Sequence, residues 1–456
     1  MAVWTEVLYS HLSDEHRSDA EFFKPEYIKL DAELDRIPEI EKLGTLSLFV
    51  KKGIFDISPT RYTTKGVPLI RTFQIKTPIA NHQNLVFLSE KDHSKVFFKT
   101  ELFPGDIVLT KIGAGIGDVA LLPNNFTTYN FSQNVAGVSI NRSKINPYYL
   151  LAFLISHAGR QQIIRYMMPS GQGKLELRDI KKIKVLRFKN HEDSIASMVQ
   201  QAELLIHKSS TLYNQAQHLL ESELGLDKLE FKKPVGYTAR FSEVGQSRRA
   251  DAEFFHTKYD PFISAVKHYQ GGWSTLNLVT TRLLPNFNGK GRAEYYDYIE
   301  IGDINISNGE YISSRLPALQ LPANAKILLS GGEILISQVR PTRGAIAIVE
   351  DYLPHPTVCS GAFYVCTAKD PSQREAIWLY LRIIRSVFEK YCGGTSYPTI
   401  ESDYISKFPV PIFKKKFATK IQDLVLQSKD ANRASIDLLS QAKARVEQLI
   451  EEAAAQ

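Results

Sequence analysis

The stretch Arg17-Ser-Asp-Ala-Glu-Phe-Phe23 returns later in the chain as Arg249-Ala-Asp-Ala-Glu-Phe-Phe255. The two copies of this Phe-Phe motif are separated by about half of the 456-residue chain. Solenoid proteins repeat roughly every 20–50 residues, so this much longer period predicts a duplicated domain. A chain that contains one domain twice is expected to have two similar sites.

The repeat continues beyond the Phe-Phe motif. The strand-like run Gly105-Asp-Ile-Val-Leu-Thr-Lys111 matches Gly332-Glu-Ile-Leu-Ile-Ser-Gln338. Further along, two helical segments correspond position by position, with Met198, Ala202, Leu205, Ser209, Leu212 and Ala216 in the first and Leu424, Ser428, Ala431, Ser435, Leu438 and Ala442 in the second. Each half of the chain therefore contains the Phe-Phe motif, then a strand-rich region, then a long helix.

The strand-rich region of the first half consists of short apolar runs that Gly, Pro and Asn interrupt. These runs predict strands at residues 46–49, 69–73, 107–112, 119–122 and 135–140. From Pro147 to about Met167 the apolar spacing becomes helical. A basic strand or turn is expected at residues 180–188.

Residues 192–224 contain no proline, and glycine first appears at Gly225. Apolar and small residues follow each other here at alternating spacings of four and three, which is a heptad seam, and a second row widens the apolar face. The seam is Met198, Ala202, Leu205, Ser209, Leu212, Ala216 and Leu219, and the second row is Val199, Ile206, Tyr213 and Leu220. Residues 417–453 repeat the pattern.

Two long helices with small residues at matching seam positions are expected to pair antiparallel as a spacer rod with one domain at each end. The alternative is that each helix packs on its own domain alone. The rod is favoured because so long a heptad seam is hard to bury on one small domain. The sequence thus predicts an α+β fold in which two similar β-rich domains are separated by two long antiparallel helices as a pseudo-two-fold internal repeat. The expected ranges are 1–189 and 227–414 for the domains and 190–226 and 415–456 for the helices.

Composition sets broad limits on location and partners. The net charge of +7 and the pI near 9.0 fit a polyanionic partner without requiring one. The three cysteines, Cys359, Cys366 and Cys392, have no metal-ligand spacing and are odd in number, which favours a reducing cytoplasm. No signal peptide and no membrane-spanning stretch are expected.

Two motifs could be mistaken for those of a methyltransferase. The run Gly113-Ala-Gly-Ile-Gly117 follows a strand, but a second β-like run comes after it rather than a helix. Its counterpart, Arg340-Pro-Thr-Arg-Gly344, keeps only the last glycine, so a hairpin turn is favoured over a cofactor loop. The run Asn146-Pro-Tyr-Tyr149 lacks the second proline of an amino-methyltransferase motif. No nuclease-like acidic constellation repeats in both halves.

Polar and basic residues occupy the predicted tips of both strand-rich regions. Arg and Lys are suited to guanine or to phosphates, and Asn and Gln are suited to adenine. Corresponding tips differ, since Lys111 stands where the second copy has Gln338, and two readers of two different DNA sequences would differ in this way. A solvated loop is the alternative for any single residue. The candidate DNA-binding residues are Arg61, Lys65, Lys111, Gln133, Asn134, Lys174, Arg282, Lys290, Arg292, Gln338, Arg340, Arg343 and Tyr397.

With this organisation the chain resembles the specificity subunit of Type I restriction–modification systems. The resemblance rests on both Phe-Phe motifs, on the paired strands 103–111 and 330–337, and on segments 177–183 and 400–411 before the long helices. Together these cover essentially the whole chain.

The resemblance implies a non-catalytic, bacterial or archaeal cytoplasmic subunit that binds double-stranded DNA. Each target-recognition domain would read one half of a bipartite site, and the two helices would set the unread gap. Such subunits recruit two methyltransferase (M) subunits, and two translocase–nuclease (R) subunits complete the restriction enzyme. S-adenosylmethionine, ATP and Mg are expected on those partners and no cofactor on this chain.

Three alternatives remain open from the sequence. The chain could be the recognition or scaffold subunit of a related phage-defence methyltransferase system. It could be a DNA methyltransferase that acts alone, which would bind S-adenosylmethionine. It could also be a protein–protein scaffold that uses the rod and never touches DNA, in which case no salt-dependent DNA affinity is expected.

Overall fold

The computed structural model describes residues 6–7, 12, 17–55, 57–82, 84–113, 115–168, 173–229, 236–288, 293–394 and 396–454. The chain divides into two compact units. Unit 1 comprises residues 1–207 together with 431–456, and unit 2 comprises residues 208–430. No helix among the described residues is long and apolar enough to cross a membrane.

Unit 1 consists of short strands and of helices that lie before, between and after them along the chain. Its strands are β1 (Ile40–Lys42), β2 (Ser47–Lys52), β3 (Tyr62–Thr63), β4 (Val67–Ile70), β5 (Val86–Leu88), β6 (Ile107–Thr110), β7 (Val119–Leu121), β8 (Asn130–Phe131), β9 (Val135–Ile140) and β10 (Lys184–Leu186). Its helices are α1 (Pro25–Leu34), α2 (Leu43–Leu46), α3 (Glu90–Asp92), α4 (Pro147–Ile155), α5 (His157–Arg165), α6 (Leu177–Ile180) and the beginning of α7 (Lys189–Glu223).

The first sheet of unit 1 is antiparallel and has the strand order β2-β9-β6-β7. Side chains of a strand alternate between its two faces, and here both faces are covered. Ile107 and Leu109 of β6 lie in one core with helices α4 and α5, whereas Val108 lies in a second core with the other sheet. Because both faces are buried, this strand is a continuous apolar run in the sequence.

The second sheet of unit 1 has the strand order β3-β5-β4-β8, and β4 and β8 run parallel. It contributes Ile70 and Phe131 to the core that it shares with the first sheet. A separate antiparallel pair, β1 with β10, joins the region after α1 to the segment before α7. Unit 1 is therefore layered as helices, first sheet and second sheet.

Unit 2 contains a similar set of strands and helices. Its strands are β11 (Trp273–Thr275), β12 (Thr280–Leu283), β13 (Tyr295–Ile299), β14 (Ser314–Pro317), β15 (Ala325–Leu328), β16 (Ile334–Ser337), β17 (Ile346–Ile348), β18 (Thr357–Ser360), β19 (Phe363–Ala368) and β20 (Pro409–Pro411). Its helices are α8 (Phe241–Ser247), α9 (Asp260–Lys267), α10 (Leu276–Val279), α11 (Arg374–Ile383), α12 (Ser402–Ser406) and the beginning of α13 (Lys415–Ala454).

Unit 2 shares the topology of its first sheet with unit 1, whereas the second sheets of the two units differ in strand order. Its first sheet has the order β12-β19-β16-β17, which is the order of the first sheet of unit 1 with each strand replaced by its counterpart. Ile334 and Ile336 pack with the helices, and Leu335 packs with the second sheet, whose order is β14-β13-β18-β15. The duplicated α+β domain that the repeat predicts is confirmed.

The Phe-Phe motif ties the start of unit 1 to the end of α5. The Arg17 guanidinium forms an ion pair with Asp19 at 2.6 Å and donates to the carbonyl oxygens of Tyr166 and Met167 at 3.4 and 3.3 Å. Its Cζ atom lies 4.7 Å from the centre of the Phe22 ring. The Arg17 guanidinium holds the pKa of Asp19 below its usual value.

The second copy of the motif makes the same contacts in unit 2. Arg249 pairs with Asp251 at 2.7 Å and donates to the carbonyl oxygens of Tyr391 and Cys392 at 3.0 and 2.8 Å. Its Cζ atom lies 4.9 Å from the centre of the Phe254 ring. The repeated residues therefore have a structural role, because in each unit they bind the motif to a segment far along the chain.

The two long helices predicted by the sequence are confirmed. Helix α7 has 35 residues and α13 has 40, which corresponds to roughly 50–60 Å each. In unit 1, Val199 near the start of α7 shares a core with Val446 near the end of α13. In unit 2, Leu220 near the end of α7 shares a core with Ile421 near the start of α13. This order is that of an antiparallel pair.

The predicted seam of α7 differs in detail from the buried one. The fully covered residues of α7 after Met198 are Val199, Ala202, Ala216 and Leu220. The seam residues Leu205, Ser209 and Leu212 are only half-buried.

The helical region that the sequence predicts from Pro147 to Met167 is two helices. Helix α4 ends at Ile155, and the Ser156 hydroxyl caps α5 by accepting from Gly159 N at 3.3 Å. A Cβ atom on Gly159 would lie 2.2 Å from the Phe153 carbonyl oxygen. The serine cap and this close approach explain the break.

Candidate nucleic-acid interface

Four of the candidate residues of unit 1, Lys111, Gln133, Asn134 and Lys174, lie where β6 ends. Lys111 follows β6, and its backbone N–H donates to the Asn134 carbonyl oxygen at 2.9 Å. Leu175 N donates to the Lys111 carbonyl oxygen at 2.9 Å, which brings Lys174 to the same end of the sheet. We call the set Lys52, Lys111, Gln133, Asn134 and Lys174 the unit 1 tip.

The unit 1 tip concentrates positive charge. Burial lowers the pKa of Lys111, and the neighbouring charges of Lys174 and Lys52 lower that pKa further, whereas Glu176 opposes them. Lys174 forms an ion pair with Glu176 at 2.6 Å, and Lys111 forms none among the described residues. An anion such as a phosphate would therefore relieve repulsion between these lysines.

Arg61 and Lys65 lie on either side of β3, a strand of the second sheet of unit 1. Both are exposed, and the Arg61 Cζ atom lies 5.8 Å from the centre of the Phe97 ring. The Lys65 carbonyl oxygen accepts from the Thr63 hydroxyl at 2.8 Å across the turn after β3. The hydrogen bonds of the described residues do not join either side chain to the unit 1 tip, and their contact with DNA stays a prediction.

The glycine-rich run of unit 1 is a hairpin turn, as predicted, because it joins the antiparallel strands β6 and β7. Gly113, Gly115 and Gly117 have φ angles of 104°, 91° and 83°, a region that favours glycine. The Arg160 guanidinium donates to the Gly117 carbonyl oxygen at 2.8 Å and so fixes the turn on α5.

In unit 2, Gln338 takes the place of Lys111. Its N–H donates to the Ala362 carbonyl oxygen at 2.9 Å, and Ile400 N donates to the Gln338 carbonyl oxygen at 2.9 Å. The Gln338 side-chain Nε2 donates to the hydroxyl of Ser402 at 3.0 Å, and the Arg282 Nη2 donates to the same hydroxyl at 2.8 Å. Ser402 is not among the candidate residues that the sequence indicates.

The hairpin after β16 presents arginines instead of glycines. Arg340 has a left-handed backbone with a φ of 48°, and its N–H donates to the Pro398 carbonyl oxygen at 2.7 Å. Its Cζ atom lies 4.3 Å from the centre of the Tyr397 ring, which is 66% exposed. Arg343 is exposed in the same hairpin. We call the set Arg282, Gln338, Arg340, Tyr397 and Ser402 the unit 2 tip.

The remaining candidates, Lys290 and Arg292, lie outside the described residues. Within the part of the chain that the structure describes, no group of three or more His, Cys, Asp or Glu residues could hold a metal ion. The two tips thus lie at corresponding ends of the first sheets and differ in chemistry, with lysines, glutamine and asparagine in unit 1 and with arginine, glutamine, serine and tyrosine in unit 2.

Residues 52–186 match the family model described as the Type I restriction modification DNA specificity domain. This part of unit 1 is similar to the Type I specificity domain. The match includes Lys52, Arg61, Lys65, Lys111, Gln133, Asn134 and Lys174. The resemblance to this family that the sequence indicates is confirmed, and the function that the family description names is DNA specificity in Type I restriction–modification.

Solved structures with similar chains were also found. The S subunit of a Type I restriction–modification system from M. genitalium is 13% identical, covering 91% of this chain and 95% of that chain at a TM-score of 0.42. The HsdS subunit from Thermoanaerobacter tengcongensis is 14% identical, covering 91% and 96% at a TM-score of 0.28. No curated protein sequence matches the chain.

Proposed function

We propose that the chain is a DNA specificity subunit that reads a bipartite target, with one half-site for each unit. The observation that carries the proposal is the match of residues 52–186 to the specificity domain, together with a second unit whose first sheet has the same strand order. The different side chains of the two tips support two different half-sites, since each base pair presents its own pattern of donors and acceptors.

The long helices would set the unread gap between the half-sites. Their antiparallel pairing, in which each end of the pair belongs to the core of a different unit, supports this role. Helices of this length are stiff enough to act as a spacer.

The proposed subunit performs no chemistry itself. Two methyltransferase subunits would bind S-adenosylmethionine, and two translocase–nuclease subunits would bind ATP and Mg. The complex would act on DNA in the cytoplasm of a bacterium or archaeon.

The test is a long-read map of methylated adenines in cells that produce the chain together with its methyltransferase subunit. A bipartite motif with an unread gap, which disappears when the chain is omitted, is the expected result. Unchanged methylation with an active methyltransferase would contradict the proposal and favour a protein–protein scaffold.

DNA binding by the purified complex provides a second readout. Each phosphate that a lysine or arginine neutralises lowers the slope of log K against log salt concentration by roughly 0.9. The affinity is therefore expected to fall steeply with salt, whereas a scaffold that never touches DNA would show no such dependence.

A further inference from the structure

The hydroxyl of Ser402 in unit 2 joins two side chains from different strands. It accepts from Arg282 Nη2 at 2.8 Å and from Gln338 Nε2 at 3.0 Å. Arg282 lies on β12, Gln338 follows β16, and Ser402 begins α12. One hydroxyl therefore fixes the relative positions of a guanidinium and an amide at the unit 2 tip.

These contacts decide which end of the Gln338 amide is open. Besides the bond to Ser402, Nε2 donates to the Ile400 carbonyl oxygen at 3.2 Å. Because a carbonyl oxygen only accepts, the nitrogen end of the amide must face it, and both of its N–H groups are then used. Among the hydrogen bonds of the described residues, none reaches the Oε1 atom, which can only accept.

An unconstrained glutamine reads adenine through both ends, accepting from N6 and donating to N7. Gln338 cannot donate in this way without giving up a bond to Ser402 or Ile400. It is left as an acceptor for an amino group, which in the major groove means adenine N6 or cytosine N4.

Arg282 is fixed in a complementary way. Its Cζ atom lies 5.0 Å from the centre of the Tyr364 ring, and Tyr364 is only 1% exposed. A guanidinium has five N–H donors, and the bond to Ser402 uses one of them. The others leave Arg282, which is exposed, able to donate to a base edge or a phosphate.

We propose that Ser402 is a positioning residue that holds Gln338 and Arg282 as one reading pair, in which Gln338 Oε1 accepts from the exocyclic amino group of an adenine or a cytosine. This inference rests on the proposed DNA-reading function. It adds the class of base that one side chain of unit 2 reads and the residue that orients it.

Unit 1 has no equivalent pair. Arg282 of β12 pairs with Cys366 of β19, and Val50 of β2 pairs with Val138 of β9, the equivalent strand. Val50 therefore occupies the position in unit 1 that corresponds to Arg282. Lys111 takes the place of Gln338, and Leu177, two residues after Leu175, takes the place of Ser402. The effect of changing Ser402 is therefore confined to one half-site.

The test uses the complex of the full chain with its methyltransferase subunits and compares Ser402→Ala with Ser406→Ala. Ser406 is the matched control, because it lies in the same helix and its hydroxyl donates at 2.8 Å to Asp403 O within that helix. We expect Ser402→Ala to relax the base preference about tenfold at one or two adjacent positions of one half-site. Ser406→Ala should leave both half-sites unchanged at the same melting temperature.

The amino group is tested with duplexes in which the base at the affected position lacks it, with purine in place of adenine or 2-pyrimidinone in place of cytosine. The wild-type complex should bind such a duplex roughly tenfold more weakly. The Gln338→Met complex should not distinguish the two duplexes, because its thioether cannot replace the amide acceptor.

Each negative result has its own meaning. If the Ser402→Ala and Ser406→Ala complexes show the same base preference, the positioning role of Ser402 is overturned. The same holds if Ser402→Ala weakens the base preference equally at both half-sites. A Gln338→Met complex that still senses the missing amino group overturns the reading role of Gln338. A wild-type complex without preference in either half-site overturns the proposed function itself.

Discussion

Arg17 and Arg249 show how one residue type organises each copy of the domain. Each guanidinium binds an aspartate two residues later, two carbonyl oxygens far along the chain and the face of a phenylalanine ring. Charged hydrogen bonds of this kind contribute more to stability than neutral ones, particularly when the donor is shielded from water. The motif that reveals the repeat is conserved between the halves for a packing reason.

Arg17→Ala is expected to remove these bonds and leave buried carbonyl oxygens without a donor. The side chain is only 7% exposed, so we expect a loss of about 2 kcal/mol in the free energy of unfolding, or roughly 5 °C in melting temperature. Calorimetry of this variant and of Arg36→Ala, a change at an exposed arginine, provides the comparison. Equal melting temperatures of the two variants would contradict the structural role of Arg17.

The reactivity of the three cysteine thiols is a second property that can be predicted at the residue scale. Burial raises the pKa of the Cys359 and Cys366 thiols to about 12 and that of Cys392 to about 11. Because the thiolate is the nucleophile, a raised pKa means less reactive sulfur at any pH below it. At pH 8 a thiol reagent should label the native protein slowly and at the half-buried Cys392 first, and it should label all three cysteines quickly after denaturation. If the native Cys392→Ser variant were labelled rapidly, the prediction that Cys359 and Cys366 are shielded from the reagent would be contradicted.

Helices α7 and α13 are the elements that both units share. Ser209 and Ser428 face each other within unit 2, where their hydroxyl oxygens lie 3.1 Å apart and Ser428 also donates to the Ser209 carbonyl oxygen at 2.8 Å. Small residues at such positions let two helices approach closely. Ser209 and Ser428 therefore form a direct helix-to-helix contact near the middle of the pair.

Inserting one heptad after Leu205 and another after Ala431 should lengthen the pair while its apolar faces stay in register. Seven residues add about 10 Å of helix, or roughly three base pairs of DNA. If the proposed spacer role is correct, the methylation motif should keep both half-sites and gain a gap of that size. An insertion in α7 alone, which shifts the register, serves as the control, and altered half-sites in the double insertion would contradict the spacer role.

At the scale of the whole molecule, each unit has its own sheets, its own core and its own tip. Recognition is therefore expected to be modular. The duplicated first sheet supports this expectation, since it carries Lys111 at its end in unit 1 and Gln338 at the corresponding end in unit 2.

Exchanging residues 44–188 for the matching segment of another specificity subunit should change one half-site and leave the other half-site and the gap unchanged. The segment contains the unit 1 tip and ends before α7, so the helix pair is preserved. A methylation map of cells that produce the exchanged chain measures the result. A change in both half-sites would mean that the two units do not read independently.

The sequence by itself determined the duplication, the strands at residues 107–112 and 135–140 and the two long helices. These features depend on local signals, namely a repeated motif, short apolar runs that Gly, Pro and Asn interrupt, and heptad spacing in the helices. The hairpin after β6 could also be predicted, because its second strand is visible in the sequence.

Only the tertiary structure decided which tip residues come together. Arg282, Gln338 and Ser402 are far apart in the chain, and Lys111 meets Asn134 and Lys174 through strand pairing that no local pattern specifies. The break at Ser156 and the true seam of α7 likewise depend on what packs against each helix. Residue type can suggest that a side chain contacts DNA, but its partner and the face that it presents are fixed by contacts between distant segments.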